Sequence, residues 1–257
     1  MSDAKVVIIT GAASGIGAET ARMLAAKGWR VVVNYRKSRE AAEKVAAECK
    51  ALGATNGGDA MAVQADVAED ADCKALVGAT LKAYGRIDAL MNNAGETKAA
   101  PFNDLDALSG DDFMRLYRNN VVSVYQMTRA AAPALKESGR GSVLNIGSRA
   151  GFTGGGTSTA YAATKAAVHT LTKSLARSLG PEVRVNCVAP GYVDTQWHVR
   201  ERGQDHADKA KAGMIDKAAL KRIVQPEEMA EVCVMMLTGA SAMTGETIFM
   251  DAGVHLA

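Results

Sequence analysis

Short apolar runs rich in β-branched residues alternate along the chain with longer alanine-rich stretches. The apolar runs show no alternation of polar and apolar positions, which is typical of strands buried on both faces. They predict strands over residues 5–10, 30–35, 60–65, 87–91, 142–146, 184–188 and 247–250. The stretches between them predict helices near 15–27, 38–52, 69–84, 111–137, 160–180 and 226–238.

This alternation predicts an α/β fold, a doubly wound parallel sheet of about seven strands with helices on both faces. Residues 1–257 are predicted to form a single domain, because no linker or repeat interrupts them. Residues 192–222 are polar and mixed in charge, and they indicate an insertion of the kind that builds substrate sites. Its larger side chains line a substrate pocket or only pack a lid: Trp197, His198, Met214 and Ile215.

Composition excludes several classes of protein. The 257 residues are 48% hydrophobic and 23% charged, which argues against disorder, and the net charge of +2 argues against nucleic-acid binding. No apolar run approaches the roughly 18 residues of a membrane span, and the apolar start is too short for a signal peptide. We therefore expect a cytoplasmic protein with reduced thiols at its four scattered cysteines, and no metal site.

A glycine-rich loop, Thr10-Gly11-Ala12-Ala13-Ser14-Gly15-Ile16-Gly17, joins the first predicted strand to the first predicted helix. Glycine allows a tight turn and lets the backbone approach a ligand closely. The N-terminus of the following helix offers unpaired N–H groups and a partial positive charge, which suit a pyrophosphate. The alternative is an ordinary glycine-rich turn, but the position after the first strand favours a dinucleotide site.

The end of the second strand bears on the choice of dinucleotide. An NAD site would carry Asp or Glu there for the ribose 2′-hydroxyl, whereas this chain has Arg36, Lys37 and Ser38. A guanidinium at this position suits a 2′-phosphate, although a solvated basic helix start is the alternative. The sequence therefore favours NADP over NAD.

A second motif carries acid–base chemistry. Tyr161 and Lys165 are four residues apart and share one face of a predicted helix, and Ser148 closes a strand thirteen residues earlier. A free tyrosine has a pKa of about 10, and a nearby Lys165 cation with the positive ring of an oxidised nicotinamide would lower it. Ser148 would donate a hydrogen bond to a substrate oxygen as charge develops there.

Ordered motifs across almost the whole chain resemble the short-chain dehydrogenase/reductase family, whose fold is a Rossmann fold. One small departure is Gly147, which replaces a frequent Ser and is expected to have little effect. The motifs are TGAASGIG at 10–17, Asp66-Val67, Asn92-Asn93-Ala94-Gly95, Asn120, Ser148, Tyr161 with Lys165, Pro190-Gly191-Tyr192-Val193-Asp194-Thr195, Pro226-Glu227-Glu228, Thr244-Gly245 and Asp251-Ala252-Gly253.

The resemblance implies a role for each matching position. Tyr161 would be the acid or base, Lys165 would bind the nicotinamide ribose, and Ser148 would orient the carbonyl. Asn120 would hold a water in a proton relay, with the adjacent Asn119 as the alternative. The catalytic residues implied are Asn120, Ser148, Tyr161 and Lys165. The cofactor-binding residues predicted are Gly11, Ser14, Gly15, Ile16, Gly17, Tyr35, Arg36, Asp66, Val67, Asn93, Ala94, Gly95, Tyr161, Lys165, Pro190, Gly191, Val193 and Thr195.

The sequence leaves the substrate open. The first hypothesis is an NADP-dependent oxidoreductase that interconverts a carbonyl and a secondary alcohol. The Asn34-Tyr35 strand end before a basic helix start is similar to 3-oxoacyl-acyl-carrier-protein reductases of the family, which makes an acyl carrier protein a candidate partner. The alternatives are a sugar, polyol or steroid-type alcohol dehydrogenase, and a non-catalytic NADP-binding sensor. The resemblance also implies a homotetramer or homodimer built on the helices at 111–137 and 160–180.

Overall fold

The structure is a computed structural model that describes residues 4–257, apart from the side chains at positions 201 and 202. Its strands are β1 (Val6–Ile9), β2 (Arg30–Tyr35), β3 (Asp59–Gln64), β4 (Ala89–Asn92), β5 (Gly141–Ile146), β6 (Val183–Pro190) and β7 (Thr247–Met250). All pair in parallel, in the order β3-β2-β1-β4-β5-β6-β7. This topology confirms the predicted doubly wound sheet.

The α-helices all lie in the connections between consecutive strands. They are α1 (Gly15–Ala26), α2 (Arg39–Gly53), α3 (Asp70–Tyr84), α4 (Gly110–Tyr117), α5 (Ser123–Glu137), α6 (Ala150–Thr153), α7 (Thr159–Leu179), α8 (Gln196–Arg202), α9 (Gln204–Lys217) and α10 (Pro226–Thr238). Short 3₁₀ turns lie at Leu105–Ala107 and Val254–Leu256.

Side chains of the interior strand β1 point alternately to the two faces of the sheet, and both faces are buried. Val7 and Ile9 belong to a core with α1, α2 and α10, whereas Ile8 belongs to a second core with α3, α5 and α7. Because each face is covered by helices, neither face needs polar residues. The uniformly apolar pattern of the sequence is therefore explained by two cores on one sheet.

The helix predicted over 111–137 is interrupted. A π-helical turn over Arg118–Val122 separates α4 from α5, and the N–H of Ser123 donates to the carbonyl of Arg118 five residues earlier. The turn contains the buried Asn120, whose side-chain bonds lie outside the helix. A widened turn of this kind is frequent at functional sites. Periodicity alone predicts one continuous helix, because the backbone stays helical from α4 through this turn into α5 and no breaking residue marks it.

Residues 192–222 leave the sheet after β6 and contain α8 and α9, and an isolated parallel bridge pairs Val193 with Val224 at their base. That they form a substrate loop stays a prediction.

All four cysteines are buried and free. Within residues 4–257 as described, no helix is long and apolar enough to cross a membrane, and no group of His, Cys, Asp or Glu could hold a metal ion.

Candidate active site

A cleft of about 760 Å³ runs along the edge of the sheet where the parallel strands end. The strand order reverses beside β1, and ligands of open α/β sheets bind at such a point. The cleft brings together nearly all residues predicted for the cofactor and for catalysis. Those that line it are Gly11, Ser14, Gly15, Ile16, Tyr35, Arg36, Asp66, Val67, Asn93, Ala94, Gly95, Ser148, Tyr161, Lys165, Pro190, Gly191, Val193 and Thr195. Gly17 and Asn120 are not among the lining residues.

The glycine loop passes close to the segment that follows β4. Gly11 has a φ of 61°, and a Cβ there would lie 2.9 Å from the Cα of Ala94. At Gly17 a Cβ would lie 2.6 Å from Nδ2 of Asn93. Both positions therefore require glycine. Gly11 needs its backbone conformation and the close approach of Ala94, and Gly17 needs room for the Asn93 side chain.

Asn93 ties the two segments together. Its Nδ2 donates to the carbonyls of Thr10 at 2.9 Å and Gly11 at 3.0 Å. In return, Oγ1 of Thr10 accepts from the backbone N–H groups of Asn93 and Ala94, at 2.9 and 3.0 Å. These four bonds fix the loop without using the N–H groups at the start of α1.

The N-terminus of α1 is available to an anion. Ser14 caps the helix with extended backbone, but its hydroxyl makes no cap hydrogen bond. The first turn of α1 carries no acidic residue, so no side chain in that turn neutralises the positive end of the helix dipole. Gly15 and Ile16 expose this end to the cleft. The donors and the field together fit a pyrophosphate group.

The part of the cleft beside the end of β2 carries basic side chains and one acidic side chain. Arg36 follows β2, and its Nη1 lies 3.6 Å from Oδ2 of Asp66. The carbonyl of Arg36 accepts from Nε2 of Gln64 at 3.0 Å, which fixes its backbone. The second oxygen of Asp66 accepts from the N–H of Ala68 at 3.0 Å. Lys37 also lines the cleft, so the basic groups outnumber the single carboxylate here.

Tyr161 and Lys165 lie one turn apart on α7, as the sequence predicts. Nζ of Lys165 lies 5.7 Å from the centre of the Tyr161 ring and donates to the carbonyl of Ile146 at 2.8 Å. Burial lowers the pKa of Lys165 to about 8. Burial also raises the pKa of Tyr161 to about 12, while a hydrogen bond with Ser148 acts in the opposite direction. In the protein alone Tyr161 therefore keeps its proton, so the lowered pKa expected from the sequence would require the bound cofactor.

Ser148 is held by its backbone and its side chain. Its N–H donates to Nε2 of His169 at 3.4 Å, and its Oγ accepts from the N–H of Ala150 at 3.1 Å. No motif in the sequence points to His169, which lies on α7 two turns after Tyr161 and stacks on Phe152 with ring centres 4.2 Å apart. Burial lowers the pKa of His169 to about 4, so the imidazole is neutral and accepts this bond.

Gly147 makes room for that histidine. A Cβ at Gly147 would lie 2.4 Å from Nε2 of His169 and 2.7 Å from Sγ of Cys187. The Ser that the family often carries at this position would collide with the imidazole. The presence of Gly147 in place of this Ser, which the sequence predicts to have little effect, is therefore coupled to the presence of His169.

Asn120 lies behind the cleft, in the π-helical turn. Its Nδ2 donates to the carbonyl of Glu96 at 2.8 Å and to Oγ1 of Thr164 at 3.1 Å, and its Oδ1 accepts from the N–H of Glu96 at 2.7 Å. A Cβ on Gly95 would lie 3.5 Å from this Oδ1 and 3.7 Å from Nζ of Lys165, so Asn120 is near the lysine. Asn119 instead lines the cleft and donates to the Glu96 carboxylate.

The segment over 192–222 closes one side of the cleft. The ring of Tyr192 stacks on His198 with centres 3.8 Å apart, and its hydroxyl donates to the carbonyl of Ala207 at 3.0 Å. Trp197 and His198 line the cleft. Met214 and Ile215 are not among its described lining residues, and Met214 instead places its sulfur 3.8 Å from Arg149.

Comparison with known proteins agrees with this geometry. A family model described as short chain dehydrogenase matches residues 5–206. A Streptomyces violaceoruber protein named as ketoacyl reductase 2 of the granaticin polyketide synthase is 40% identical over 254 residues, which cover 99% of this chain and 97% of the relative. A 3-oxoacyl-acyl-carrier-protein reductase of Synechocystis sp. is 37% identical over 255 residues, which cover 98% of this chain and 97% of the relative.

A solved structure gives the same result for the fold. A short-chain dehydrogenase/reductase from Burkholderia xenovorans matches with a TM-score of 0.90 and 41% sequence identity, and the match covers 100% of both chains. The family model spans well over half of the chain and includes the glycine loop, Ser148, Tyr161 and Lys165. The chain is therefore an oxidoreductase that belongs to the short-chain dehydrogenase/reductase family.

Proposed function

We propose that the protein is an NADP-dependent oxidoreductase that interconverts a carbonyl and a secondary alcohol. The observation that carries the proposal is that Ser148, Tyr161 and Lys165 line the same cleft as the glycine loop. A phenol, a hydroxyl and a buried ammonium group at one end, with an anion-binding helix terminus at the other, suit a dinucleotide and a small carbonyl compound.

The residues present fit such a cofactor. The α1 terminus and the glycine loop would hold the pyrophosphate, Asp66 and Val67 the adenine, and Asn93 to Gly95 the adenosine ribose side. Pro190, Gly191, Val193 and Thr195 would hold the nicotinamide half. We assign the 2′-phosphate to Arg36 with Lys37, because this end of the cleft carries an excess of cationic groups. The 2′-phosphate would compete with the Asp66 carboxylate for the Arg36 guanidinium.

When bound, the nicotinamide supplies or accepts the hydride. In carbonyl reduction Tyr161 donates its Oη proton to the substrate oxygen, and its raised pKa keeps that proton available at neutral pH. Ser148 donates a hydrogen bond to the same oxygen as negative charge develops. Lys165 favours the resulting phenolate through its charge, since a pKa of about 8 leaves it mainly protonated at pH 7.

Asn120 would complete the site as a positioning residue. Both N–H groups and the oxygen of its side-chain amide are bonded, to Glu96 and Thr164. We propose that this holds the π-helical turn beside Lys165, where a water could return the proton that Tyr161 gives up. The role proposed here belongs to Asn120 rather than Asn119, because only Asn120 is buried next to the lysine.

For the substrate we propose a 3-oxoacyl thioester delivered by an acyl carrier protein. The support is similarity to relatives with ketoacyl reductase names and the aromatic lining at Trp197 and His198. We also propose that the chain assembles as a homotetramer or homodimer, since apolar side chains of α4 and α5 are exposed. A cytoplasmic location stays a prediction.

A thermal-shift comparison of NADP with NAD tests the cofactor. Ligand that binds only the folded state stabilises it by mass action, so the larger shift at equal concentration identifies the tighter cofactor, which we expect to be NADP. NADPH oxidation is then followed with a 3-oxoacyl thioester, ketosugars, steroid ketones and simple ketones. A thioester rate no better than that of simple ketones would reject the substrate proposal in favour of a sugar, polyol or steroid substrate.

Tyr161→Phe tests the mechanism. We expect it to lower kcat by about 10²–10⁴-fold, because the general acid is lost, while cofactor binding is retained. Tyr84→Phe is the matched control, since Tyr84 bonds Asp59 outside the cleft and should leave the rate unchanged. Undiminished activity in Tyr161→Phe would reject the mechanism, and tight NADPH binding by wild-type protein with no turnover on any substrate would indicate a sensor.

A further inference from the structure

The glycine loop has no cation of its own. Residues 10–17 contain neither Lys nor Arg, so the loop offers a pyrophosphate N–H groups, the Ser14 hydroxyl and a helix dipole but no full positive charge. The nearest charged group along α1 that lines the cleft is Glu19, which is acidic and pairs with Arg22. A dianionic ligand here would leave its charge only partly compensated by local residues.

A cation reaches this loop from the segment over 192–222. Arg200 of α8 lines the cleft, and its Nη2 donates to Oγ of Ser14 at 3.2 Å. The two residues are 186 positions apart in sequence. Ser14 is the residue at the N-terminus of α1 whose hydroxyl makes no cap bond, so the guanidinium lies at the positive end of the helix.

A second contact sets α8 against the same loop. The Cγ2 of Thr195 lies 3.5 Å from where a Cβ of Gly15 would be. The hydroxyl of Thr195 accepts from the N–H of Trp197 at 3.4 Å and so begins α8. The start of this helix is therefore fixed beside the glycine loop, five residues before Arg200.

The electrostatics of this contact favour an anion between the two elements. No carboxylate in the described part of the chain pairs with the exposed Arg200. A guanidinium beside the positive end of α1 is a repulsive arrangement, which an anion placed between them would turn into two attractions. Ser14 supplies only a neutral oxygen.

We propose that Arg200 binds the pyrophosphate of the nicotinamide dinucleotide and so holds α8 over the glycine loop. The inference rests on the proposed function, because it assigns a further residue to the same cleft. It also links the cofactor to the lid, since Trp197 lies on the same helix and lines the cleft.

The test measures dissociation constants of NADPH and NADH by energy transfer from tryptophan, and of ADP-ribose by competition. Arg200→Ala should weaken all three ligands by a similar factor of about tenfold, which equals about 1.4 kcal/mol, because all three contain the pyrophosphate. Arg36→Ala should weaken NADPH alone. Lys209→Ala is the matched control, since Lys209 is an exposed cation of α9 that does not line the cleft, and should change none of them.

Three outcomes would overturn the assignment. Unchanged affinities in Arg200→Ala would show that Arg200 is not a binding residue. A loss confined to NADPH would place the guanidinium on the 2′-phosphate, and a loss confined to the two nicotinamide cofactors would place its effect at the nicotinamide end. Wild-type protein that binds none of the three ligands would reject the proposed function itself, a result distinct from the other three.

Discussion

At the scale of single residues, the site depends on side chains that belong to none of the sequence motifs. His169 is buried beneath Ser148, accepts its N–H, and fills the space that the missing side chain of Gly147 leaves. A neutral imidazole suits this position, because a protonated one would lose its acceptor and would lie near the Lys165 cation. The orientation of Ser148 is thus tied to the protonation state of a residue two turns further along α7 than Tyr161.

Stability in acid should depend on His169. Its folded pKa of about 4 lies below the ordinary 6.5, so between these values the unfolded chain binds a proton that the folded protein refuses. The free energy of unfolding should therefore fall as the pH drops from about 6.5 to about 4, by up to about 1.4 kcal/mol per pH unit. His169→Gln keeps an acceptor for Ser148 and should flatten this slope in urea titrations. A slope equal to that of wild type would contradict the assignment.

Two further variants separate the contributions. His198→Gln tests the second contribution: burial also lowers the pKa of His198 to about 4, so this variant should flatten the slope by its own share and leave the His169 share intact. His169→Leu removes the acceptor and leaves the Ser148 N–H unpaired. It should be less stable than His169→Gln by about 1–3 kcal/mol at neutral pH.

At the scale of elements, the cleft is held by connections between strand ends. The segment after β4 supports the glycine loop through Asn93 and Thr10, and α7 is bonded to the end of β5 through Lys165 and Ile146. The π-helical turn between α4 and α5 faces the segment after β4 through Asn120. Each connection joins elements that are distant in sequence, so the cleft forms only when the sheet has formed.

Asn93→Ala should loosen the glycine loop. The change leaves the carbonyls of Thr10 and Gly11 without their side-chain donor, and a buried polar group without a partner costs about 1–3 kcal/mol. We expect a lower free energy of unfolding by this amount and weaker NADPH binding. Asn56→Ala, which removes two exposed bonds, one to Ala26 and one from Thr55, is the control and should change stability by less than about 0.5 kcal/mol. Equal effects of both variants would argue against the bracing role.

At the scale of the whole molecule, α4 and the start of α5 carry large apolar side chains that are exposed to solvent. Phe113, Met114 and Tyr117 of α4 and Tyr125 of α5 are all more than a third exposed, and Met114 is 71% exposed. Large apolar side chains exposed along one stretch of helix make that stretch a candidate interaction surface. These residues lie within 111–137, one of the two helices on which the resemblance to the family places assembly, and they are the basis of the proposed homotetramer or homodimer.

Met114→Glu should reduce the mass of the particle measured by light scattering. A carboxylate buried in an apolar interface would have to be desolvated without a partner, so assembly is disfavoured. Leu52→Glu is the control, because Leu52 is exposed on α2 at the opposite side of the sheet and should leave the mass unchanged. A wild-type particle with the mass of a single chain would reject the assembly proposal.

Much of this architecture could be predicted from local patterns. The seven strands lie within a few residues of their predicted positions, since apolar runs and breaking residues are local signals. The strand ends differ most: β6 extends to Pro190 and β4 starts at Ala89, because hydrogen bonding to neighbours decides where a strand begins and ends. Met214 and Ile215 stand out in the sequence as apolar residues in a polar segment, but both are half-buried and neither lines the cleft, and Met214 contacts Arg149.

The amino-acid sequence by itself determined the alternation of strand and helix, the glycine loop and the order of Ser148, Tyr161 and Lys165, because these depend on spacing within one or two elements. Only the tertiary structure decided that Arg200 lies on Ser14, that His169 lies beneath Ser148, and that burial raises the pKa of Tyr161 while lowering that of Lys165. Such properties depend on which distant groups share a low-dielectric space, and a linear pattern contains no information on that distance until the sheet brings the segments together.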